Sequence, residues 1–397
     1  MKIVFITPKL DFLTAGGTTD EYDLTYRTLQ AMGHEVTVFT TSAKKNNIPH
    51  ELPYKVFRES IDTHKMMGIQ LGVFKILRKY SGQADVFFLD GQVFLYGAGL
   101  YRLLGGKVPV AAYFNRELTA WEENVSELFE NKKTGLYRRL KKRARFYFER
   151  YVLMRLTNYL DIIGFANARL IEKYGKFGMK IDERCFIYGD PFDYRGLMKK
   201  HDIHEDTYSK RNKTQGPYTI FYSSKMAPGK GFDVLLTAFS RLKNKDNFRL
   251  VLGGDGQEEK QVHKMVHDLK LERYVELPGW MTKNELYRRY GEADMFIQAR
   301  WRDDLTSMSL MTAILFGLPS ILPAGGGLEW LARECGFYFK DNDIDDLTRK
   351  IEQLGNDYKL REKLSRNCYA RMDHPELNHK SRIAELEKRM IEARAKK

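Results

Sequence analysis

The sequence predicts an α/β protein made of two successive parallel-sheet halves. Three observations carry this expectation. Short β-branched and aromatic runs alternate with helical patterns from the first residues onward. The same rhythm restarts after a polar stretch at 199–216, which holds Lys210-Arg211-Asn212-Lys213 and no apolar period. The length of 397 residues also suits two or three domains of about 100–200 residues each.

In the first half, Lys2–Thr7 reads as a strand followed by a glycine-containing loop. A helical pattern then covers 20–32 and stops at Gly33-His34, and 35–41 reads as the next strand. This strand–helix–strand order predicts parallel pairing. Further strands are predicted at 85–89, 108–114, 161–165 and 185–188. In the second half they fall at 219–222, 249–252, 274–277, 295–298, 320–322 and 337–339, with clear helices at 232–242 and 284–290. The expected division is an N-terminal Rossmann-like domain over 1–200, a linker over 201–216, a C-terminal Rossmann-like domain over 217–377, and a charged helix over 378–397 packing back on the first domain. Two such domains are expected to face a cleft, with ligands beyond the carboxyl ends of the strands.

Composition narrows the class. Lys+Arg 66 against Asp+Glu 52 gives a net charge of +14. With 43% apolar and 30% charged residues, the chain is not of the disordered type. Cys185, Cys335 and Cys368 are few and far apart, which argues against a disulfide scaffold or a CxxC zinc site and suits a reducing compartment. No run approaches the roughly 18 apolar residues of a membrane span. The longest, over 93–104, is broken by Arg102. The apolar run at 3–6 is too short for a secretory signal. These features predict a soluble, basic, cytoplasmic protein. The chain has no nucleic-acid recognition module, and His263, His267 and His374 lack metal-ligand spacing.

Two loops carry candidate chemistry. The first holds Gly16 and Gly17 after strand one and before a helix, where backbone N–H groups can approach an anion. Its spacing is not GxGxxG, so a nicotinamide site is not expected, and a phosphate loop and a plain turn both stay open. The second is Ser223-Ser224-Lys225-Met226-Ala227-Pro228-Gly229-Lys230-Gly231-Phe232. Lys225 and Lys230 stand five apart in a bent loop at the mouth of a helix, an arrangement suited to holding a diphosphate from two sides. Downstream come Gly254-Asp255-Gly256, Gly279-Trp280, the segment from Asp303-Asp304 through Thr312 to Gly317-Leu318-Pro319, and Gly326-Gly327-Leu328-Glu329.

Over roughly 219–343 this ordered series resembles the retaining glycosyltransferases of the GT4 type, which have the GT-B fold. The N-terminal half resembles them more loosely, through Gly16-Gly17, 29–36 and 188–193. The resemblance implies a UDP- or GDP-sugar donor, no cofactor, no metal, and a glycan or lipid-linked acceptor in polysaccharide or glycoconjugate assembly. It implies that Lys225 and Lys230 neutralise the leaving diphosphate while Gly16 and Gly17 lend backbone donors. Gly254, Gly256, Gly279, Trp280, Thr312, Gly326 and Gly327 would line the donor site. Asp304, or Asp303 if the register slips by one, would hold sugar hydroxyls. Glu329 would orient its loop or touch the sugar, and Asn115 would reach the sugar from the N-terminal side. The chain departs from the pattern at four places. Asp304 and Thr312 replace two glutamates, Lys225 replaces an arginine, and Asn115 replaces a histidine. These departures define the alternative, a non-catalytic relative that binds nucleotide or membrane as a partner or regulator.

The remaining feature is the basic segment 132–150, which includes Arg138, Arg139, Lys141, Lys142 and Arg145. Leu136, Leu140, Ala144, Tyr147, Tyr151 and Met154 recur at three- and four-residue steps, predicting a helix with one apolar stripe. Such a helix suits docking on an anionic bilayer, or packing on the core with a solvated basic face.

Overall fold

The structure is a computed structural model that describes residues 1–12, 18–41, 46–49, 51–62, 66–116, 136–300 and 306–396. For residues 18, 136–139 and 142 the description is confined to the backbone. The chain forms two compact units, Met1–Phe192 with His379–Lys397, and Asp193–Asn378.

The first unit holds β1 (Lys2–Thr7), β2 (Glu35–Thr40), β3 (Lys55–Arg58), β4 (Val86–Asp90), β5 (Val110–Phe114), β6 (Ile162–Phe165) and β7 (Cys185–Ile187). They form one parallel sheet in the order β3-β2-β1-β4-β5-β6-β7. The central strands are continuous apolar runs because helices cover both faces; β4 and β5 are buried along their whole lengths. Ile3 pairs with Val36 on one side and Val86 on the other, so β1 is the strand from which the order runs both ways. The sequence reading missed β3, a short, mostly exposed edge strand with too few apolar residues to signal a buried run.

The second unit holds β8 (Tyr218–Ser223), β9 (Phe248–Gly253), β10 (Val275–Gly279), β11 (Met295–Ile297), β12 (Ser320–Pro323) and β13 (Gly336–Phe339). Their parallel order is β10-β9-β8-β11-β12-β13. The strand order reverses between β1 and β4 in the first unit and between β8 and β11 in the second. Such switch points are where open α/β sheets place their ligands.

The expected linker needs correction. Residues 201–216 contain the helix Thr207–Arg211, which buries Tyr208 completely. The Tyr208 hydroxyl donates to the Asp294 carbonyl at 2.8 Å. The buried Arg361 guanidinium grips Asn212 at 3.1 Å and the Lys213 carbonyl. This segment is therefore part of the second unit, and the division falls after Phe192 rather than after 200. The polar composition hid two anchors, because Tyr208 and Asn212 find their partners more than 80 residues downstream.

The last helix, His379–Ala395, belongs to the first unit. Ile383, Leu386 and Met390 are buried in that unit's core. Arg382 donates to the Ile187 carbonyl at 3.0 Å, and His34 Nε2 meets Glu387 Oε1 at 2.6 Å.

Candidate functional site

The site begins where β8 leaves the second sheet at Ser223. Its loop is held to the neighbouring strand exit through the backbone. Ser224 N–H donates to the Gly253 carbonyl at 3.2 Å, and Met226 N–H donates to the Asp255 carbonyl at 2.6 Å. The Met226 carbonyl in turn accepts from Glu258 N–H at 3.0 Å, and its side chain is 1% exposed. At the far end of the loop the buried Tyr222 hydroxyl donates to the Lys230 carbonyl at 3.0 Å. Both lysines thus rise from fixed backbone, Lys225 exposed and Lys230 half-buried. The loop delivers the chain into the helix Phe232–Ser240, whose first N–H groups add a partial positive charge.

Two glycines make this packing possible. A Cβ on Gly254 would stand 1.9 Å from the Ser224 carbonyl oxygen, and its φ of 112° lies in the left-handed region. Gly231, with φ 78°, caps the helix, and a Cβ there would meet the Arg300 nitrogen at 2.5 Å. The exits of β8, β9 and β11 therefore touch main chain to main chain.

The other predicted residues of this unit can be placed in turn. Gly256 follows Gly254 in the β9 loop. Gly279 ends β10, and its carbonyl accepts from Gly254 N–H at 2.7 Å. Trp280 beside it is 66% exposed. The helix Met308–Leu315 is tied to the β8 exit because the Ser309 hydroxyl donates to the Ser223 carbonyl at 2.7 Å. Thr312 lies on that helix, 6% exposed, with its hydroxyl donating to the Met308 carbonyl at 2.9 Å. Gly326 and Gly327 open the helix Gly326–Ala332 after β12, and the Glu329 carboxylate accepts from Gly325 N–H, holding that turn closed. Asp303 and Asp304 lie outside the described residues, as do Gly16 and Gly17 of the first unit.

In the first unit Asn115 follows β5. Its amide oxygen accepts from Gln92 Nε2 at 2.9 Å, and its N–H donates to Gln92 Oε1 at 3.3 Å. Sequence reasoning passed over the acidic groups around this pole. Asp90 ends β4, accepts from the Tyr22 hydroxyl at 3.1 Å, and is pushed up to about 6 by burial. Burial also raises Asp190 to about 6, with the Tyr113 hydroxyl donating to it. Glu21 is raised as well, by burial and then by the Asp190 charge. A usable signal existed, since an aspartate closing the apolar run Val86–Asp90 is out of place in a buried strand.

The basic segment forms the helix Leu136–Tyr151. Lys141 and Arg145 are exposed on it; the side chains of Arg138, Arg139 and Lys142 lie outside the description. Of the expected apolar stripe, Met154 at its end is buried but the helix's own described members are not. Leu140, Tyr147 and Tyr151 are exposed, along with Phe148 and Val152. The helix rests instead on half-buried Phe146, whose ring is 5.2 Å from Phe177, and on Glu149, which accepts from the Tyr96 hydroxyl at 2.6 Å.

Two parallel Rossmann-like sheets, the second with two lysines on a braced loop at its switch point, define the class: this is the fold of the GT-B glycosyltransferases. HepE of Anabaena, solved in complex with UDP, matches with a TM-score of 0.66 over 99% of this chain and 100% of its own, at 15% identity. Residues 204–371, less than half of the chain, match the family described as glycosyl transferases group 1. The lipopolysaccharide core biosynthesis glycosyltransferase LpsE of Rhizobium meliloti is 28% identical over 138 residues, 34% of this chain and 39% of that relative's length. The alpha-monoglucosyldiacylglycerol synthase of Streptococcus pneumoniae is 22% identical over 332 residues, 80% of this chain and 70% of its own. No helix among the described residues is long and apolar enough to cross a membrane.

Proposed function

We propose that this protein is a retaining glycosyltransferase of the GT4 type. It moves a sugar from a UDP- or GDP-sugar to a glycan or lipid-linked acceptor in cell-surface polysaccharide or glycoconjugate assembly, on the cytoplasmic face of a membrane. The observation that carries this reading is the braced loop with Lys225 and Lys230 at the β8/β11 switch point, beside a helix N-terminus. The negative charge of the leaving diphosphate grows as the sugar–phosphate bond breaks, and preorganised cations stabilise that growth most. The acceptor oxygen forms the new bond to the anomeric carbon on the same face, the bond to the diphosphate oxygen breaks, and a phosphate oxygen takes the acceptor's proton. Lysine and backbone charge serve where other transferases use a metal, so transfer is metal-independent. The UDP bound by HepE and the names of the two relatives, one acting in lipopolysaccharide core synthesis and one named for a diacylglycerol glycolipid, support the donor and acceptor classes.

The test is titration with UDP and GDP, then transfer assays over a donor panel with chelator present. Lys230→Ala is expected to lower transfer on the order of 10²–10³-fold with the thermal midpoint unchanged. Transfer at the wild-type rate by that variant would remove the phosphate-binding role. Thr312 favours the second reading, a binding-only relative, because its only donor proton goes to the Met308 carbonyl of its own helix, leaving the hydroxyl able only to accept where a glutamate would grip two hydroxyls. Tight nucleotide binding with no turnover for any donor and acceptor would decide for that reading.

A further inference from the structure

Arg300 lies just past β11, on the opposite side of the switch point from the lysine loop. Its main chain sits directly on Gly231, since a Cβ on that glycine would stand 2.5 Å from Arg300 N and 2.8 Å from Arg300 Cβ. The side chain is loosely held. One terminal nitrogen is 3.5 Å from Asp233 Oδ2, in the first turn of the helix Phe232–Ser240, and the other donates to Asn342 Oδ1 at 3.3 Å. Both separations exceed the roughly 2.7–2.9 Å of a charge-assisted bond. The side chain is 38% exposed, and that of Asp233 is 51% exposed.

We infer that Arg300 is a third cation of the donor site, which leaves Asp233 and closes on the diphosphate when a nucleoside diphosphate binds. The inference rests on the reading of Lys225 and Lys230 as diphosphate ligands, and it adds a residue that the family pattern does not name. A guanidinium stays charged at every working pH, and its planar fork presents two parallel N–H groups to two phosphate oxygens, a fixed geometry that a lysine ammonium lacks. A diphosphate carries more charge than the single Asp233 carboxylate and accepts short bonds in place of a long one. The competing role is a brace: Arg300 would only hold the start of the helix through Asp233.

The experiment compares UDP with UMP, and GDP with GMP, by calorimetric titration of the full chain. The variants are Arg300→Gln, Arg300→Lys, Asp233→Asn and Lys230→Ala, each checked for an unchanged thermal midpoint. Arg300→Gln is expected to weaken diphosphate binding by about tenfold and monophosphate binding by less than about twofold, with Arg300→Lys recovering part of the loss. Asp233→Asn is expected to leave diphosphate binding equal or tighter. If Lys230→Ala loses the diphosphates and Arg300→Gln keeps them, Arg300 is no ligand and the lysine reading stands. If Asp233→Asn reproduces the Arg300→Gln loss, or if Arg300→Gln weakens both nucleotide classes equally, the role is bracing and the proposal falls. Wild-type binding by Lys230→Ala and Arg300→Gln alike would overturn the diphosphate reading itself.

Discussion

Asp90 shows how one residue can work against the unit that contains it. Burial holds its carboxyl at about 6, above the roughly 3.9 of an unfolded aspartate. The native state therefore binds more protons than the unfolded state between those values, and stability falls as pH rises from about 4 to about 6. Above that window the whole penalty is present. Asn at this position still accepts from Tyr22 and carries no charge. Asp90→Asn is expected to raise the stability of the first unit at pH 7 by on the order of 2 kcal/mol, with the gain gone below about pH 4. Urea unfolding at the two pH values checks this, and equal gains at both would contradict the assignment. At this scale the lysine loop was legible, because Lys225, Lys230 and their glycines are close in sequence. The Gln92–Asn115 pair was not, since its members stand 23 residues apart and meet only through the sheet.

The helix Leu136–Tyr151 shows what periodicity can and cannot establish. Its apolar spacing identified the helix, yet Leu140, Tyr147 and Tyr151 of the stripe it traced are exposed, with Phe148 and Val152 beside them and Lys141, Arg143 and Arg145 near by, while Met154 at the stripe's end is buried. Spacing identifies which residues share a face. It does not say what covers that face, and here the core takes Phe146 and Glu149 instead. Exposed aromatics among cations match an anionic bilayer, where each cation near the surface adds about 1 kcal/mol. The double variant Phe148→Ser/Tyr151→Ser is expected to reduce binding to phosphatidylglycerol-containing vesicles about tenfold, with little binding of either protein to pure phosphatidylcholine. Vesicle co-sedimentation measures this, and undiminished binding by the variant would rule out the helix as the contact. Among the strands, buried runs such as those of β1, β4 and β8 announced themselves. The edge strand β3 did not, because only a buried strand must be apolar.

At the scale of the whole chain, the second unit is inserted between the body of the first and its closing helix. Ile383, Leu386 and Met390, each at most 1% exposed, complete the first unit's core. Their burial is worth on the order of 6 kcal/mol, a large part of the 5–15 kcal/mol that keeps a domain folded. Deleting residues 379–397 is therefore expected to leave the first unit unfolded or aggregation-prone while a protease-resistant fragment near 193–378 survives. Limited proteolysis followed by mass spectrometry reads this directly, and a truncated chain with an equally resistant first unit would show that the helix is dispensable.

By itself the sequence determined the α/β class, the parallel pairing expected within each half, the helix over the basic segment and the ordered glycine and lysine motifs of the second half. These are local properties, written in the spacing of neighbouring residues. Only the tertiary structure decided that 201–216 is anchored rather than loose, that the Thr312 hydroxyl donates its proton to the Met308 carbonyl, that Tyr147 and Tyr151 are exposed, and that Arg300 lies against Gly231. Most of these depend on residues far apart in the chain being brought into contact, and Thr312 on how its hydroxyl turns within its own helix. Hydrophobic periodicity constrains which way a residue faces but not which neighbour it meets.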